Sequence, residues 1–488
     1  MPEHPMQDFT PTPLPEETVM DYGILGGAQA ERGRKLFVTG SVLLGGLLGY
    51  LAYTANVEHN LHRVLGLVMF ALAVLPALLW ARTGGSRFPV FETILLLCAN
   101  AYAMPVLNAR EQLAGYAPEV ITQACLAVIL YQLSAILVYV TVSGLPGRSR
   151  FWRESLISRQ IEKLIIYGLI LSTGYVGLST FTTWVPAELE SILRAIFYGI
   201  GILCTFIGAQ RWGRGELTQG EKTVFVCTLG PQLVFMSVSL VLIGAISLIG
   251  IGLLGYVSGG KRIPWLVLGL AFTVLALLHT GKTQMRTKYW DQGHPTPTIT
   301  ELPAYFTEWI DFGLEPTSGG KTVSQKMLER TSLMHILCLI VDNTPSRQDY
   351  LYGKTYSYVL PQLVPRFFWP DKPRSHVATY ELAIYYGLQQ EEDTATTTIA
   401  FGLVTEAYAN FGLIGTMLLG ALWGFWLKKL QIWSTYSPMF SFAGLLMVLL
   451  TAWSFNAELT MAVWVSSLEQ AVIVVLGLPL LLRSLFGL

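Results

Sequence analysis

The sequence predicts an all-α polytopic membrane protein with about twelve transmembrane helices, both termini in the cytoplasm and one large loop on the opposite side. The first reason is composition. Of the 488 residues, 52% are hydrophobic and 13% are charged, and that charged share is about half that of a soluble domain. The second reason is the recurrence of apolar runs of about 20 residues, the length of a membrane-spanning helix. The third is the sidedness of the basic linkers.

The first unit is a polar, proline-rich tail over residues 1–35, predicted to lie in the cytoplasm. Its acidic residues come early, and Arg32, Arg34 and Lys35 close it. A basic cluster of this kind holds the end of a tail on the cytoplasmic face of a membrane. The tail has no cleavable signal-peptide pattern. Because the formal net charge of the chain is zero, electrostatics gives no reason to expect a nucleic-acid partner.

Nine predicted transmembrane helices follow within 36–281, and three more lie within 396–488. One apolar run, 223–257, is too long for one crossing and short for two. Its Gly230-Pro231 pair predicts a broken or kinked helix. The other runs lie near 36–54, 62–81, 88–107, 119–142, 162–181, 188–208, 264–280, 396–427, 438–455 and 459–482.

Charge decides how often the run 223–257 crosses the membrane. Basic linkers around Arg82, Arg150 and Arg211 fall on one side if each earlier run crosses once. Two crossings of the ambiguous run bring the later basic linkers to the same side, and positive charge marks the cytoplasmic side. We therefore predict two crossings, which place residues 282–395 outside the cytoplasm.

The segment 282–395 is too long for a passive connection between two helices. Its first part is punctuated by proline and glycine and is predicted to lie on the membrane surface. A helix is predicted from residue 323 to about residue 341. The apolar end of that helix is too short to span, so it is either re-entrant or buried between other helices. A short amphipathic helix is predicted over 376–388.

The most distinctive stretch of this loop, 352–373, combines cations, aromatic side chains and prolines. Cations suit a diphosphate, aromatic faces suit sugar rings and the headgroup level of a bilayer, and prolines fix the backbone. The alternative is an interfacial loop whose aromatic residues form a belt and whose cations pair with nearby acids or lipid phosphates. The candidate ligands are Lys354, Tyr356, Arg366, Trp369 and Lys372, with Arg330 on the preceding predicted helix.

The tenth predicted span carries a carboxylate, Glu406, about eleven residues from its start, or about 16 Å along a helix. That depth is near mid-membrane, where an ionisable side chain is costly and indicates function. Asn410 is four residues further on, shares its face and is a candidate substrate-binding residue. The alternative is a packing hydrogen bond between helices.

Two histidines and one acidic run complete the set of candidates. His335 lies in an apolar stretch, which favours a buried neutral imidazole with one hydrogen bond, and it is kept as a substrate-binding candidate. His376 lies near the cations and is a candidate general base. The acidic run 391–393 is interpreted as a cap of the following span rather than as a metal site. No motif for a metal, a nucleotide sugar or ATP is present, so no cofactor is predicted.

Together these residues resemble the Wzy-type O-antigen and exopolysaccharide repeat-unit polymerases of bacteria, over roughly 330–412. The resemblance implies a GT-C-like, metal-independent glycosyltransferase of the bacterial inner (cytoplasmic) membrane, whose large loop and active site face the periplasm. Such an enzyme joins oligosaccharide repeat units carried on undecaprenyl diphosphate, and a chain-length regulator is a candidate partner. The likeness rests on Arg330, Gly353-Lys354-Thr355-Tyr356, Pro365-Arg366, Trp369-Pro370, Lys372-Pro373, Gly402, Glu406, Tyr408 and Asn410-Phe411-Gly412.

The resemblance also implies roles for individual residues. Arg330, Arg366 and Lys372 would stabilise the departing diphosphate as negative charge grows on it. Tyr356 and Trp369 would shape the sugar site. The chain departs from branches of the family that have two sizeable arginine-bearing outer loops, because its loop after the fifth predicted span has no arginine.

Glu406 or His376 would take the proton of the attacking hydroxyl. Two other functions stay open at this point. An O-antigen ligase would transfer the same lipid-linked glycan to another acceptor, and its product would distinguish it. A transporter or flippase of lipid-linked glycans would need inverted repeats and paired discontinuous helices, whereas the sequence has a single interrupted run.

Overall fold

The computed structural model describes residues 27–486 except 56, 84–87, 110, 157–165, 183, 185–186, 315–332, 365–367, 396–397 and 457. Within these residues the chain is helical and forms no strand, and Ser155 and Ser441 make an isolated bridge. The predicted all-α class is confirmed. The first half contains α1 Gly27–Thr54, α2 Asn60–Arg82, α3 Val90–Cys98, α4 Met104–Leu107, α5 Pro118–Thr141, α6 Arg150–Arg153, α7 Gly168–Phe181, α8 Ala187–Arg214, α9 Gln219–Val238 and α10 Ile243–Ser258.

The second half contains the helix of the ninth predicted span, the long segment that follows it, and the last three helices of the chain. Its short helices are separated by turns, as expected for a segment rich in proline and glycine. The helices are α11 Trp265–Arg286, α12 Leu302–Leu314, α13 Met334–Asn343, α14 Val359–Gln362, α15 Val377–Tyr385, α16 Gly402–Ser434, α17 Phe442–Trp453 and α18 Met461–Phe486.

Every predicted span overlaps a helix, but the helices differ in length and in where they begin. In the described parts of the chain, six are long and apolar enough to cross a membrane: α1, α2, the continuous stretch Val90–Leu107, α5, the first part of α11, and α16. Shorter apolar helices occupy several of the other predicted spans, among them α7, α10 and α17. The structure is therefore that of a membrane-embedded helical protein. The twelve crossings and the cytoplasmic termini stay predictions.

The ambiguous run 223–257 forms two helices, α9 and α10, as predicted. The chain does not break at Gly230-Pro231, because α9 continues through Pro231. It reverses instead between Val238 and Ile243, where Leu240 has a φ of 57°. The reversal is held by Arg286, whose guanidinium donates to the Leu240 carbonyl at 3.0 Å.

The basic linkers meet in pairs at one end of the helices, which we call the basic end. Lys429 donates to the Ser143 carbonyl at 3.1 Å, and the Gly147 N–H donates to the Trp433 carbonyl at 3.2 Å. Elsewhere at this end the backbone of Gly213 packs directly against Gly259. This grouping agrees with the sidedness that predicted two crossings for 223–257.

The opposite end, which we call the loop end, carries the segment 287–401. Its first helix, α12, packs on α11, and the Trp309 indole donates to the Leu278 carbonyl at 2.7 Å. Of the helix predicted over 323–341, residues 323–332 lie outside the described residues, and α13 ends at Asn343. Because Ala99–Ala103 forms a π-helical turn, the Ala101 carbonyl can accept from the Leu333 N–H, at 3.0 Å. This bond anchors the start of α13, which packs against α5 and α16.

Candidate active site

The site is built around an interruption in α16. Phe411 (φ −145°, ψ 17°) and Gly412 (φ 62°, ψ −147°) are not helical, so α16 consists of two segments that meet at these residues. A helix that ends leaves carbonyls without partners. Here the Ala409 and Asn410 carbonyls accept from the N–H groups of Leu351 and Tyr352, at 3.0 and 3.1 Å. The large loop thereby completes the interrupted helix.

The side chain of Asn410 fixes the same loop a second time. It is fully buried, and its Oδ1 accepts from the Gly353 N–H at 2.9 Å. Its Nδ2 donates to Thr355 Oγ1 and to the Glu406 carbonyl, both at 2.8 Å. An amide offers one acceptor atom and two donors, so Asn410 is satisfied by protein groups alone. It was predicted to bind substrate, and in the structure it positions the loop.

Two glycines allow the loop and the interruption to approach each other closely. Gly353 has a φ of 90°, and a Cβ there would lie 3.2 Å from the Phe411 ring. Gly412 has a φ of 62°, and a Cβ there would lie 2.8 Å from the Tyr350 hydroxyl. Both positions combine a left-handed backbone with a lack of space, which only glycine tolerates.

Glu406 lies one turn before the interruption and is fully buried. Its Oε2 accepts from the Met461 N–H at 2.6 Å. Met461 begins α18, and the positive end of a helix dipole stabilises a carboxylate. Among the described residues, Oε1 has no hydrogen-bond partner. One oxygen is therefore fixed, and the other is left to accept a proton.

The predicted start of the helix that carries Glu406 is wrong. The prediction started the helix near residue 396, but α16 begins at Gly402, and the described residues 398–401 are not helical. Glu406 is thus four residues, or about 6 Å, from the end of the helix that faces the loop segment. Its depth in the membrane stays a prediction.

Tyr356, a predicted substrate-binding residue, lies near enough to this carboxylate to feel its charge. It belongs to the 3₁₀ turn Thr355–Tyr358 and stacks on Phe411, with ring centroids 6.3 Å apart and planes at 19°. Burial and the nearby Glu406 raise the pKa of its phenol above the usual value. The phenol therefore stays neutral and can donate a hydrogen bond beside Glu406.

Lys354 is paired within the protein. Its ammonium binds the carboxylate of Glu381 on α15, and this hydrogen bond raises the pKa of Lys354. The lysine side chain is 59% exposed and that of Glu381 is 16% exposed. Lys354 thus links the loop to α15, and a phosphate that approached it would compete with Glu381.

This pairing predicts a small effect of Lys354→Met on stability. Removing one partner leaves Glu381 without its cation, which at a largely exposed pair costs about 0.2–1 kcal/mol. The double variant Lys354→Met/Glu381→Gln should recover most of that loss. Thermal unfolding of the purified protein in detergent measures both. A KM for the lipid substrate raised tenfold or more, with an unchanged melting temperature, would instead identify Lys354 as a ligand of the substrate.

Lys372 is also engaged by the protein. The residue is 8% exposed, and its ammonium donates to the carbonyls of Val364 and Gln362, at 2.6 and 3.3 Å. A buried cation of this kind holds the proline-rich turns together. The neighbouring Trp369 is 42% exposed and Phe368 is 75% exposed, which suits the headgroup level of a bilayer as well as a sugar.

The two histidines lie in different surroundings. His376 stacks on Tyr380 with centroids 6.0 Å apart, and its Nδ1 has no hydrogen-bond partner among the described residues. Burial lowers the pKa of His376, so the imidazole is neutral at pH 7 and can accept a proton. His335, on α13, is half-buried and shares a 3.3 Å hydrogen bond with the Tyr116 hydroxyl.

Two predicted cations, Arg330 and Arg366, lie outside the described residues. The expectation that they converge with Lys372 on one phosphate stays a prediction. In the described parts of the chain, no group of three or more His, Cys, Asp or Glu side chains is placed to hold a metal ion. The structure thus brings together Glu406, Asn410 and Tyr356.

Sequence reasoning missed a cavity of about 580 Å³ at the loop end. It lies among α7, α8, α9, α10 and the segment 289–305, and α17 closes one side. The aromatic pair Tyr289-Trp290, near His294, was the one feature of the sequence that could have indicated this cavity. The lining of the cavity includes Thr180, Arg194, Tyr198, Gln232, Ser247, Tyr289, Trp290, His294, Tyr305, Trp453 and Asn456.

A family model described as a domain of unknown function (DUF8712) matches residues 240–441. The matched region begins in the turn between α9 and α10 and contains the large loop and α16. It therefore includes Glu406, Asn410 and Tyr356. No curated protein and no solved structure matches the chain. Over less than half of its length, the chain is thus similar to a family to which no function is attached.

Proposed function

We propose that this protein is an integral membrane glycosyltransferase that polymerises undecaprenyl-diphosphate-linked oligosaccharide repeat units at the periplasmic face of the bacterial inner membrane. The observation that supports the proposal is the burial and hydrogen bonding of the Glu406 carboxylate. A buried carboxylate has one oxygen fixed on a helix N-terminus at 2.6 Å and the other without a partner among the described residues. Such a group is placed to take a proton in a water-poor site.

The proposed reaction needs one proton acceptor and one stabilised leaving group. A hydroxyl oxygen of the incoming repeat unit attacks the anomeric carbon of the growing glycan. The bond from that carbon to the diphosphate oxygen breaks with its electron pair, and undecaprenyl diphosphate departs. The hydroxyl proton passes to Glu406 Oε1. His376, whose imidazole is neutral at pH 7, is the other candidate for this proton.

The contacts of the described cations narrow the choice of groups for the departing diphosphate. Lys354 binds Glu381, and Lys372 donates to two backbone carbonyls. We therefore assign the leaving group to Arg330 and Arg366, since a guanidinium binds a phosphate with two parallel hydrogen bonds. The sugar next to the reacting carbon would lie against Tyr356.

The interruption of α16 favours a glycosyltransferase over a transporter of lipid-linked glycans. Transporters expose the carbonyls of interrupted helices to an ion or a substrate. Here the Ala409 and Asn410 carbonyls are occupied by the N–H groups of Leu351 and Tyr352. The interruption thus anchors a loop, and each of these carbonyls already accepts a hydrogen bond from the protein.

The test is turnover by the purified protein in lipid nanodiscs with a synthetic lipid-linked repeat unit. A ladder of products on undecaprenyl diphosphate, one repeat unit apart, is the expected result. A single product on an added lipid A core acceptor would identify a ligase. No glycosidic product with either acceptor would refute the proposed activity.

Arg366→Ala should abolish the ladder while the protein stays in the membrane, because charge on the departing diphosphate would no longer be neutralised. Removal of a group that stabilises developing charge typically costs about 10²–10³ in rate. Arg374→Ala, an exposed arginine on the same loop, is the matched control and should keep the wild-type ladder. Normal chain lengths from Arg366→Ala would remove Arg366 from the mechanism.

A further inference from the structure

The cavity at the loop end is distinct from the carboxylate site and has a ligand-sized volume of about 580 Å³. Pockets that bind small molecules usually measure about 300–1,000 Å³. We propose that this cavity binds the oligosaccharide part of a lipid-linked substrate and presents one end of it to Glu406. The inference rests on the proposed function and adds the place where the glycan is held.

The chemistry of the lining suits a polyhydroxylated ligand. Aromatic faces come from Tyr289, Trp290 and Tyr305, and neutral amides come from Gln232 and Asn456. Aromatic rings offer an apolar face to the C–H side of a sugar, and amides offer both donors and acceptors to its hydroxyls. A lipid tail would need an apolar lining throughout. A diphosphate would need several cations, whereas the described residues of the lining include one arginine, Arg194, and no lysine.

The walls of the cavity are held by contacts that do not involve a ligand. Tyr289 and Tyr305 meet edge to face with centroids 5.0 Å apart, and the Tyr305 hydroxyl donates to the Val238 carbonyl at 3.0 Å. The Arg286 guanidinium lies over the Trp290 ring, 4.2 Å from its centroid. Aromatic side chains fixed in advance lose little entropy when a ligand binds.

One short segment of chain connects this cavity to the carboxylate site. Asn456 lines the cavity, the Glu458 carbonyl accepts from the Gly402 N–H at 3.1 Å, and the Met461 N–H binds Glu406. Met461 is five positions after Asn456 along the chain, so their Cα atoms are at most about 18 Å apart. A glycan held in the cavity therefore needs to reach only a short distance to bring one end to Glu406.

The test is equilibrium binding to the purified protein in nanodiscs, without turnover. One probe is the water-soluble oligosaccharide released from the lipid-linked repeat unit by mild acid, and the other is undecaprenyl diphosphate without sugar. Trp290→Ala should raise the Kd for the oligosaccharide by about tenfold or more, as expected for an aromatic residue at the centre of a site, and leave the Kd for the bare lipid unchanged. Trp265→Ala, whose tryptophan is 74% exposed at the start of α11, is the control and should change neither value.

A second variant covers the case in which Trp290→Ala fails to fold. Asn456→Leu keeps the branching at Cγ and removes the amide, and it should also weaken oligosaccharide binding selectively. Wild-type affinity for the oligosaccharide in both variants, or no binding by the wild type, would overturn the inference. So would weaker binding of the bare lipid in both variants, because the cavity would then be a lipid site. A polymer ladder that survives both substitutions but is lost in Glu406→Gln would refute the cavity assignment and leave the proposed function standing.

Discussion

Replacing Glu406 by glutamine should lower the rate of polymer formation by about 10²–10⁴-fold, the usual contribution of a general base, without unfolding the protein. Glutamine keeps the size of the side chain and one carbonyl oxygen, so it can still accept from the Met461 N–H, which binds Glu406 Oε2 at 2.6 Å in the native protein. The packing between α16 and α18 is thereby retained. What glutamine cannot do is take a proton from the attacking hydroxyl. The rate is measured with the purified enzyme and a synthetic lipid-linked repeat unit.

The matched control for this variant is Glu458→Gln. Glu458 is exposed and lies near the same helix start, and its backbone carbonyl, not its carboxylate, binds Gly402. It should retain the wild-type rate. A wild-type rate for Glu406→Gln across the pH range would make Glu406 a packing residue and move the role of base to His376. In that case Glu406→Ala should still reduce stability, because the helix start would lose its acceptor.

The sequence predicted the helices well because each is marked by a long apolar run. The ambiguous run 223–257 forms two helices, and its two predicted crossings, which rest on charge sidedness, stay a prediction. The position of the turn between the two helices was predicted wrongly, at Gly230-Pro231 instead of between Val238 and Ile243. Pro231 is tolerated inside α9, and the turn at Leu240 is held by Arg286, 46 positions further along the chain. A bond between residues so far apart leaves no local trace.

The distance of Glu406 from the start of its helix was predicted wrongly. Hydropathy reports how apolar a stretch is and does not show where its helix begins. The described residues 398–401 are as apolar as a span, but they are not helical and lead up to Gly402, which has a φ of 73°. The role of Asn410 in the site could not be predicted from local sequence either. That Asn410 shares a face with Glu406 follows from helical spacing, yet the partners that define its role, Gly353 and Thr355, lie 57 and 55 positions away.

The predicted cations show what charge alone leaves undecided. A lysine in a polar loop suits a phosphate, an acid or a set of carbonyls equally well. In the structure Lys354 has a carboxylate and Lys372 has two carbonyls, and neither partner can be inferred from spacing. The cavity was missed for a related reason, because helices that are distant along the chain each contribute a few of its residues, and no stretch of sequence contains enough of them to be noticed.

Asn410→Leu should destabilise the protein by about 2–4 kcal/mol and abolish polymer formation. Leucine has the same branching at Cγ but is larger, and it cannot accept from the Gly353 N–H or donate to Thr355 Oγ1. Each buried polar group left without a partner costs about 1–3 kcal/mol. The loop would separate from the interruption of α16, and Tyr356, which stacks on Phe411, would move away from Glu406. Thermal unfolding in detergent and the polymer ladder are the two measurements.

Two comparisons make this prediction specific. Asn108→Leu changes an exposed asparagine at the end of α4 and should leave both the melting temperature and the ladder unchanged. Asn410→Asp keeps the acceptor for Gly353 but loses both donors and adds a negative charge beside Glu406. It should therefore retain more stability than Asn410→Leu while still losing activity. If Asn410→Leu unfolds at the wild-type temperature, the loop is held by its backbone bonds to Ala409 and Asn410, and the side chain of Asn410 is free to act on substrate as the sequence predicted.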